Sequence, residues 1–150
     1  MKCETLSSSD LRKHAVACIQ AAFLLVPGLC AAANATAPVA TADARLTRSL
    51  MRLDPAQRFQ QICDVAAMKV IARESGAIRP DRAMLDALSP AKEKDDTLSG
   101  SGGAVRSKGH WRQMSFSCEA TPDRLSVLRF TYQLGDEIPG SQWERYGLWR

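Results

Sequence analysis

Apolar residues recur at helical spacing in the part of the chain that follows the N-terminal segment. A short apolar stripe comprises Leu46, Leu50 and Leu53. A longer stripe comprises Phe59, Ile62, Cys63, Ala66, Val70 and Ile71. Between the two stripes, Asp54 and Pro55 are typical of a helix start with an aspartate N-cap and proline at the first helical position. The spacing predicts a long amphipathic helix that faces Cys63 toward the core and ends near Gly76.

The pattern changes twice before residue 104. The segment RPDRAMLDALSP predicts a second helix that starts near Pro80 and ends at Pro90. Its expected buried side comprises Met84, Leu85 and Leu88. The next segment, residues 92–103, is polar, charged and rich in glycine. This composition predicts a loop, in part disordered.

After residue 104 the apolar period shortens to two, which is typical of half-buried strands. One alternation comprises Met114, Phe116 and Cys118. A second, after the turn sequence TPD, comprises Leu128, Phe130 and Tyr132. These alternations predict a β-hairpin whose apolar face rests on the long helix and brings Cys118 to Cys63. The end of the chain predicts a turn and a short helix that pack through Ile138, Trp143, Tyr146 and Leu148.

Together these elements predict an α+β fold. N-terminal helices pack on a small antiparallel sheet, either a hairpin or a three-stranded meander, followed by a short C-terminal helix. Residues 46–150 form one small domain, because a chain of this length buries a single modest core. Residues 36–45, rich in Ala and Thr, predict a flexible lead-in.

Residues 1–35 have the pattern of a secretory signal peptide. A positively charged head precedes an apolar run at residues 15–30 and a tract of small residues. Cleavage after Ala33 or Ala35 predicts a periplasmic or secreted protein with no stable membrane span. Two alternatives stay open, namely an uncleaved membrane anchor and lipidation at Cys30.

The number of cysteines left for the folded domain depends on whether this leader is removed. Of five cysteines, Cys3, Cys18 and Cys30 fall within the leader. The remaining two, Cys63 and Cys118, predict one structural disulfide in an oxidising compartment. Free or redox-active thiols and a metal site are the alternatives. A redox pair favours Cys-x-x-Cys spacing and zinc favours four ligands, so we expect neither a metal nor another cofactor.

A cationic bend before the first strand of the hairpin holds the candidate binding residues, which are Arg106, Lys108, His110, Trp111 and Arg112. Arginine binds carboxylate or phosphate with two parallel hydrogen bonds, and tryptophan stacks on ligand rings. A solvated turn and a core tryptophan are the simpler interpretations. We predict no catalytic residue, because His110 has no neighbouring nucleophile with a third, orienting group.

The formal net charge of +4 is too small to predict a nucleic-acid-binding protein. We therefore expect a non-enzymatic exported envelope domain that binds a protein partner or an anionic envelope polymer through the cationic bend. One alternative is a small secreted inhibitor of a hydrolase that presents residues 99–103 as a loop. The other is an envelope enzyme of unrecognised type that uses His110 or the pair Asp136 and Glu137.

Several segments resemble the domain of unknown function 930 family, small exported proteins of Gram-negative bacteria. They read LDPAQRFQQICDVAAM, RPDR, GAVRSKGHWRQMSFSCEATPDRLSVLRFTYQLGDEIP and WERYGLW, and they cover nearly all of the chain from Leu53 onward. The resemblance implies an envelope location but no established activity, ligand or catalytic residue. Residues 92–103 are less hydrophobic than the family pattern, which argues against a strand there.

Overall fold

The protein is described by a computed structural model that covers residues 38–150. Its helices are α1 (Ala44–Leu50) and α2 (Pro55–Glu74). Its strands are β1 (Ala40–Thr41), β2 (Pro80–Met84), β3 (Lys92–Lys94), β4 (Thr97–Ser107), β5 (His110–Ala120) and β6 (Ser126–Glu137). Two short 3₁₀ helices follow, at Gly140–Gln142 and Glu144–Tyr146. The predicted leader, residues 1–35, lies outside the described residues.

The predicted fold, in which helices pack on a small sheet, is wrong because a large sheet dominates the molecule. The six strands pair antiparallel in the order β1-β6-β5-β4-β2, and β3 also pairs with β4. The sheet curls into a half-barrel rather than forming the expected hairpin or three-stranded meander. Helix α2 packs against β1, β2, β4, β5 and β6, so it fills the concave face.

The predicted helix near residue 80 is a strand. Pro80–Met84 forms β2, and Ala83 lies opposite Val105 of β4 with both side chains in the main core. The helical spacing of Met84, Leu85 and Leu88 is therefore misleading, because non-local pairing with β4 decides the conformation. This is one reason why the sheet is larger than the sequence predicts.

The predicted loop at residues 92–103 is also wrong. Lys92–Lys94 forms β3, and Thr97–Ser107 forms the long strand β4. The glycines in β4 permit close packing rather than disorder. The segment after β2 crosses directly over Gly102, whose carbonyl accepts a hydrogen bond of 2.8 Å from the Leu88 backbone N–H. A Cβ at Gly102 would collide with the Oγ and backbone N of Ser89, so only glycine fits.

The long helix is confirmed. The Asp54 side chain accepts hydrogen bonds from the backbone N–H groups of Ala56 and Gln57, each at 3.0 Å, and Pro55 is the first helical residue. The N-cap satisfies N–H groups that have no partner within the helix. The helix buries Phe59, Ile62, Cys63, Ala66, Ala67, Val70 and Ile71. It ends at Glu74, two residues before Gly76, whose φ of +56° favours glycine.

The disulfide and the hairpin are also confirmed. The sulfur atoms of Cys63 and Cys118 are bonded, and the Cα atoms are 6.1 Å apart. Strands β5 and β6 pair along their length, with Phe116 opposite Tyr132 and Cys118 opposite Phe130. The concave face of this hairpin packs on α2 and forms the main core of the molecule.

A second, smaller core lies on the convex face of the sheet, under the C-terminal segment. Its fully packed members are Ala104, Trp111, Ile138 and Leu148, flanked by Trp143 and Tyr146. The predicted packing residues are therefore correct, although two 3₁₀ turns replace the expected helix. Within residues 38–150, no helix has the length and apolar character needed to cross a membrane.

Candidate functional site

The cationic bend is a two-residue turn between β4 and β5. Ser107 pairs with His110, and Lys108 and Gly109 between them have φ values of +53° and +78°. Positive φ at both central residues is the geometry of a type I′ hairpin turn, which matches the twist of the flanking strands. The turn projects the exposed Lys108 at the end of the half-barrel.

The residues flanking this turn continue the concave face of the sheet beyond the end of α2. Residues opposite each other on antiparallel strands share a face. Arg112 lies opposite Val105, which belongs to the main core, and His110 lies opposite Ser107. Helix α2 stops at Glu74, and none of the residues that line the cleft beside these last two rows belongs to α2.

The cleft beside these rows has a volume of about 260 Å³, and we call it the basic cleft. It is lined by Ala77, Ile78, Val105, Ser107, Lys108, His110, Arg112 and Glu137. Ile78 and Val105 give it an aliphatic floor that is continuous with the main core. Exposed Lys108 and Arg112 stand at its rim. An aliphatic floor beneath a cationic rim can receive a group that has both an apolar and an anionic part.

The rim contains one internal counter-charge. Glu137 lies opposite Arg112, and its Oε1 is 2.7 Å from Nδ1 of His110. Arg112 donates a hydrogen bond of 3.3 Å to the carbonyl of Gly135. In the part of the chain that the structure describes, Lys108 forms no salt bridge. The cation at the tip of the turn is therefore available to an external anion.

Two of the five predicted binding residues lie on the opposite, convex face. Arg106 donates two hydrogen bonds to the carboxylate of Asp81, at 2.9 and 3.1 Å, and one to the Trp149 carbonyl at 3.2 Å. The indole N–H of Trp111 donates to the same carbonyl at 2.8 Å. Trp111 is fully buried, and the Arg106 side chain is only 12% exposed. Both residues thus hold the C-terminal segment on the sheet.

The pair of Arg106 and Asp81 is a charge-assisted, two-point interaction. The hydrogen bonds from Arg106 hold the pKa of Asp81 below its ordinary value. The structure therefore brings Lys108, His110 and Arg112 together in the cleft and places Arg106 and Trp111 in a supporting role beside the C-terminus.

Sequence reasoning missed the apolar half of the basic cleft. Val105 lies between the predicted loop and the first apolar alternation, so no sequence pattern marks it as a cleft residue. Ala77 and Ile78 carry no sequence signal, since they reach the cleft only through the turn that ends α2 and leads into β2. Glu137 was considered only as part of an acidic pair with Asp136, and of these two residues Glu137 alone lines the cleft.

A second unusual group, Asp64, lies on α2 away from the basic cleft. Its Oδ1 atom is buried without a hydrogen-bond partner among the described residues. Burial, reinforced by the negative charge of Asp86, raises the pKa of Asp64 to about 8. The side chain borders a groove with Leu53, Gln57, Gln60 and Gln61. Within residues 38–150, no set of three or more His, Cys, Asp or Glu side chains is placed to hold a metal ion.

Comparison with known proteins gives one match. The model of a family described as Domain of Unknown Function (DUF930) matches residues 50–148. No curated protein and no solved structure matches the chain.

Proposed function

Since the chain belongs to the DUF930 family, a domain of unknown function, we propose its role from its own sequence and geometry: it is a non-enzymatic, exported domain that binds an anionic component of the cell envelope. The binding site is the basic cleft. Lys108 and Arg112 attract the anion, and His110 contributes a further hydrogen-bonding group at the rim.

The observation that carries this proposal is the convergence of cations above a concave, aliphatic floor. Lys108 lies in the tight turn and Arg112 lies on β5 just after it, and both line the same cleft. Lys108 has no salt bridge within residues 38–150. An external carboxylate or phosphate can therefore pair with Lys108 without first breaking an internal ion pair.

The shape of the cleft favours an envelope polymer or a small anion over a protein partner. A cleft of about 260 Å³ accepts a small anion or a short segment of a polymer. Stable protein interfaces bury about 800 Å² on each side and are usually flatter and larger. Binding of a folded protein is thus the less favoured outcome, and the experiment below can reveal it.

The hydroxyl and imidazole groups of the cleft support binding rather than catalysis. Ser107 Oγ donates to the Arg79 carbonyl and accepts from the Arg79 backbone N–H, both at 3.1 Å. His110 faces Glu137 rather than this hydroxyl. The nucleophile, base and orienting group of a hydrolytic triad are therefore not aligned among the residues that line the cleft.

The inhibitor alternative has little structural support. Residues 99–103 lie within β4 instead of forming a loop, and Gly102 and Gly103 are buried. Ser99, Gly100 and Gly103 pair with β5, and the chain after β2 crosses over Gly102, so this segment is poorly suited to enter the active site of a hydrolase. The proposed export rests on the leader pattern and on the disulfide, since disulfides persist in oxidising compartments.

The test is binding of defined polymers to the purified protein by fluorescence anisotropy. Labelled polyphosphate and alginate serve as anionic probes, and labelled dextran serves as the neutral probe. Lys108→Ala/Arg112→Ala removes the rim cations. Lys92→Ala/Lys94→Ala removes two exposed charges from β3 and is the matched control.

We expect the anionic probes to bind the wild type and the β3 control alike, and to bind the cleft variant at least tenfold more weakly. Equal weakening in both variants would show a general charge effect and would refute the site. Absence of anionic binding in the wild type, combined with capture of one stoichiometric protein through Lys108 and Arg112, would replace the polymer with a protein partner.

A further inference from the structure

We infer that the natural ligand of the basic cleft is amphiphilic: a carboxylate or phosphate head attached to an aliphatic chain. This inference rests on the proposed function and specifies the ligand. The head lies at Lys108 and Arg112, and the first methylene groups of the chain lie on Ala77 and Ile78. A free fatty acid and an anionic lipid share this chemistry.

The apolar floor of the cleft favours an aliphatic chain in the ligand. Ile78 packs against the main core but is only partly buried, and the neighbouring Ala77 is exposed, whereas Val105 has only 1% of its surface exposed. A wholly hydrophilic anion would pair with the rim and leave the accessible apolar surface of Ala77 and Ile78 covered by water. An attached aliphatic chain would bury that surface, which is favourable by roughly 25 cal/mol per Å².

The position at which α2 ends leaves room for this aliphatic chain. The apolar side of this helix fills the concave face of the half-barrel as far as Ile71, and the helix ends at Glu74. The sheet continues past this end through the rows of Val105 and Ser107. An aliphatic chain in the cleft would therefore lie beyond the end of the helix, against Ala77 and Ile78.

The charge of the rim favours a head group with one negative charge. Lys108 and Arg112 contribute two positive charges, and Glu137 contributes one negative charge. The charges of these three side chains sum to about +1, which suits a head with one negative charge.

The size of the cleft limits how much of the ligand it encloses. At about 30 Å³ for each water-sized group, a volume of 260 Å³ holds roughly eight or nine such groups. A carboxylate with about six to eight carbons fills this space, and a longer chain would extend out of the cleft. Affinity should therefore increase with chain length and then level off.

The experiment is a calorimetric titration of the full protein with butyrate, hexanoate, octanoate and decanoate, each below its micelle concentration. We expect the dissociation constant to fall about twofold to fourfold for each added methylene group up to octanoate, and to change little beyond it. Octylammonium, with the same chain and the opposite charge, should not bind.

Two variants locate the site without removing core side chains. Ala77→Glu adds a carboxylate to an exposed position that lines the cleft, and should weaken octanoate binding at least fivefold. Ala56→Glu adds the same charge to an exposed position at the far end of α2, and should bind as the wild type does. Matching thermal melting curves would show that both variants fold.

An experiment with lipid vesicles distinguishes the two possible sources of the head group, an anionic lipid and a free fatty acid. Sedimentation with phosphatidylglycerol vesicles, but not phosphatidylcholine vesicles, together with octanoate binding, would identify an anionic lipid. Octanoate binding without sedimentation would identify a free acid. Either result supports the inference.

The results that overturn the inference are distinct from those that overturn the proposed function. Suppose that polyphosphate binds through Lys108 and Arg112 but butyrate and octanoate bind equally. The protein then binds an anion without recognising an aliphatic chain, and only this inference fails. The inference also fails if Ala77→Glu binds octanoate as the wild type does. If no anionic probe binds, both proposals fail.

Discussion

Cys63 of α2 and Cys118 of β5 are joined by a disulfide across the main core. They are 55 residues apart in the sequence, and the loop they close contains β2, β3 and β4. The bond therefore fixes the helix to the concave face of the sheet. It also constrains the unfolded chain, because a long loop loses much of its entropy when its ends are joined.

Removing this bond with Cys63→Ala/Cys118→Ala should lower the free energy of unfolding by about 4 kcal/mol. Urea denaturation followed by circular dichroism measures the change. Reduction of the wild type should give a similar loss. A change below about 1 kcal/mol would mean that the disulfide adds little to the fold.

Asp64 should make the protein less stable as the pH rises. Its pKa is about 8 in the folded protein, against an ordinary value of 3.8. Between these values the folded state retains a proton that the unfolded state has lost, so stability is greatest below pH 4 with respect to this group and falls up to about pH 8. The loss should be on the order of 3–5 kcal/mol.

Asp64→Asn removes this ionisation and should flatten the dependence of the unfolding free energy on pH between 4 and 8. Asp86→Asn is the companion variant, since it removes the charge that reinforces the effect, and should flatten the dependence only in part. Parallel pH profiles for the wild type and Asp64→Asn would contradict the assignment.

Arg106 should affect stability, whereas Lys108 should affect only binding. Arg106→Ala removes the hydrogen bonds to Asp81 and to the Trp149 carbonyl, and we expect it to cost about 1–3 kcal/mol. Lys108→Ala removes an exposed side chain and should change the unfolding free energy by less than about 0.5 kcal/mol. Thermal denaturation compares the two variants, and equal effects would argue against separate roles.

Gly102 should tolerate no side chain. The added Cβ of Gly102→Ala would collide with Ser89, so the segment after β2 must move, at a cost of about 1–3 kcal/mol. Gly140→Ala is the matched control, because an added Cβ there meets no atom within 4 Å. Chemical denaturation of both variants tests the expectation, which fails if their stabilities are equal.

Glu137→Gln should strengthen anion binding. The substitution keeps the shape of the side chain but removes the negative charge beside His110. We expect the dissociation constant for octanoate to fall about twofold to fivefold at low salt, with a smaller effect at high salt because exposed charges are screened. Calorimetry at two salt concentrations measures this. Weaker binding would show that Glu137 positions the rim rather than opposing the ligand.

Local signals in the sequence predicted the long helix, whereas the sheet depended on distant contacts. Asp54, Pro55 and the apolar stripe define α2 without help from other segments. Strand β2 owes its conformation to pairing with β4, which the helical spacing of its own residues conceals. The glycines of β4 looked like a loop because the need for Gly102 appears only when Ser89 is packed against it.

The charged half of the basic cleft was predictable from local signals, as the long helix was. Lys108 occupies a two-residue turn, and His110 and Arg112 follow at alternate positions of one strand and so share a face. The same alternation sends Trp111 to the other face. The aliphatic wall could not be predicted, because Ile78 reaches the cleft only through the path of the chain after α2.

Backbone amide chemical shifts during an octanoate titration show whether an aliphatic acid occupies the basic cleft. We expect the amides of Ile78, Val105, Lys108 and Arg112 to shift together with a single dissociation constant, while those of β3 stay unchanged. Inorganic phosphate should shift the amides of Lys108 and Arg112 and leave that of Ile78 largely unaffected. Shifts confined to the groove beside Asp64, or no shift in the cleft with either anion, would rule out the basic cleft as the binding site.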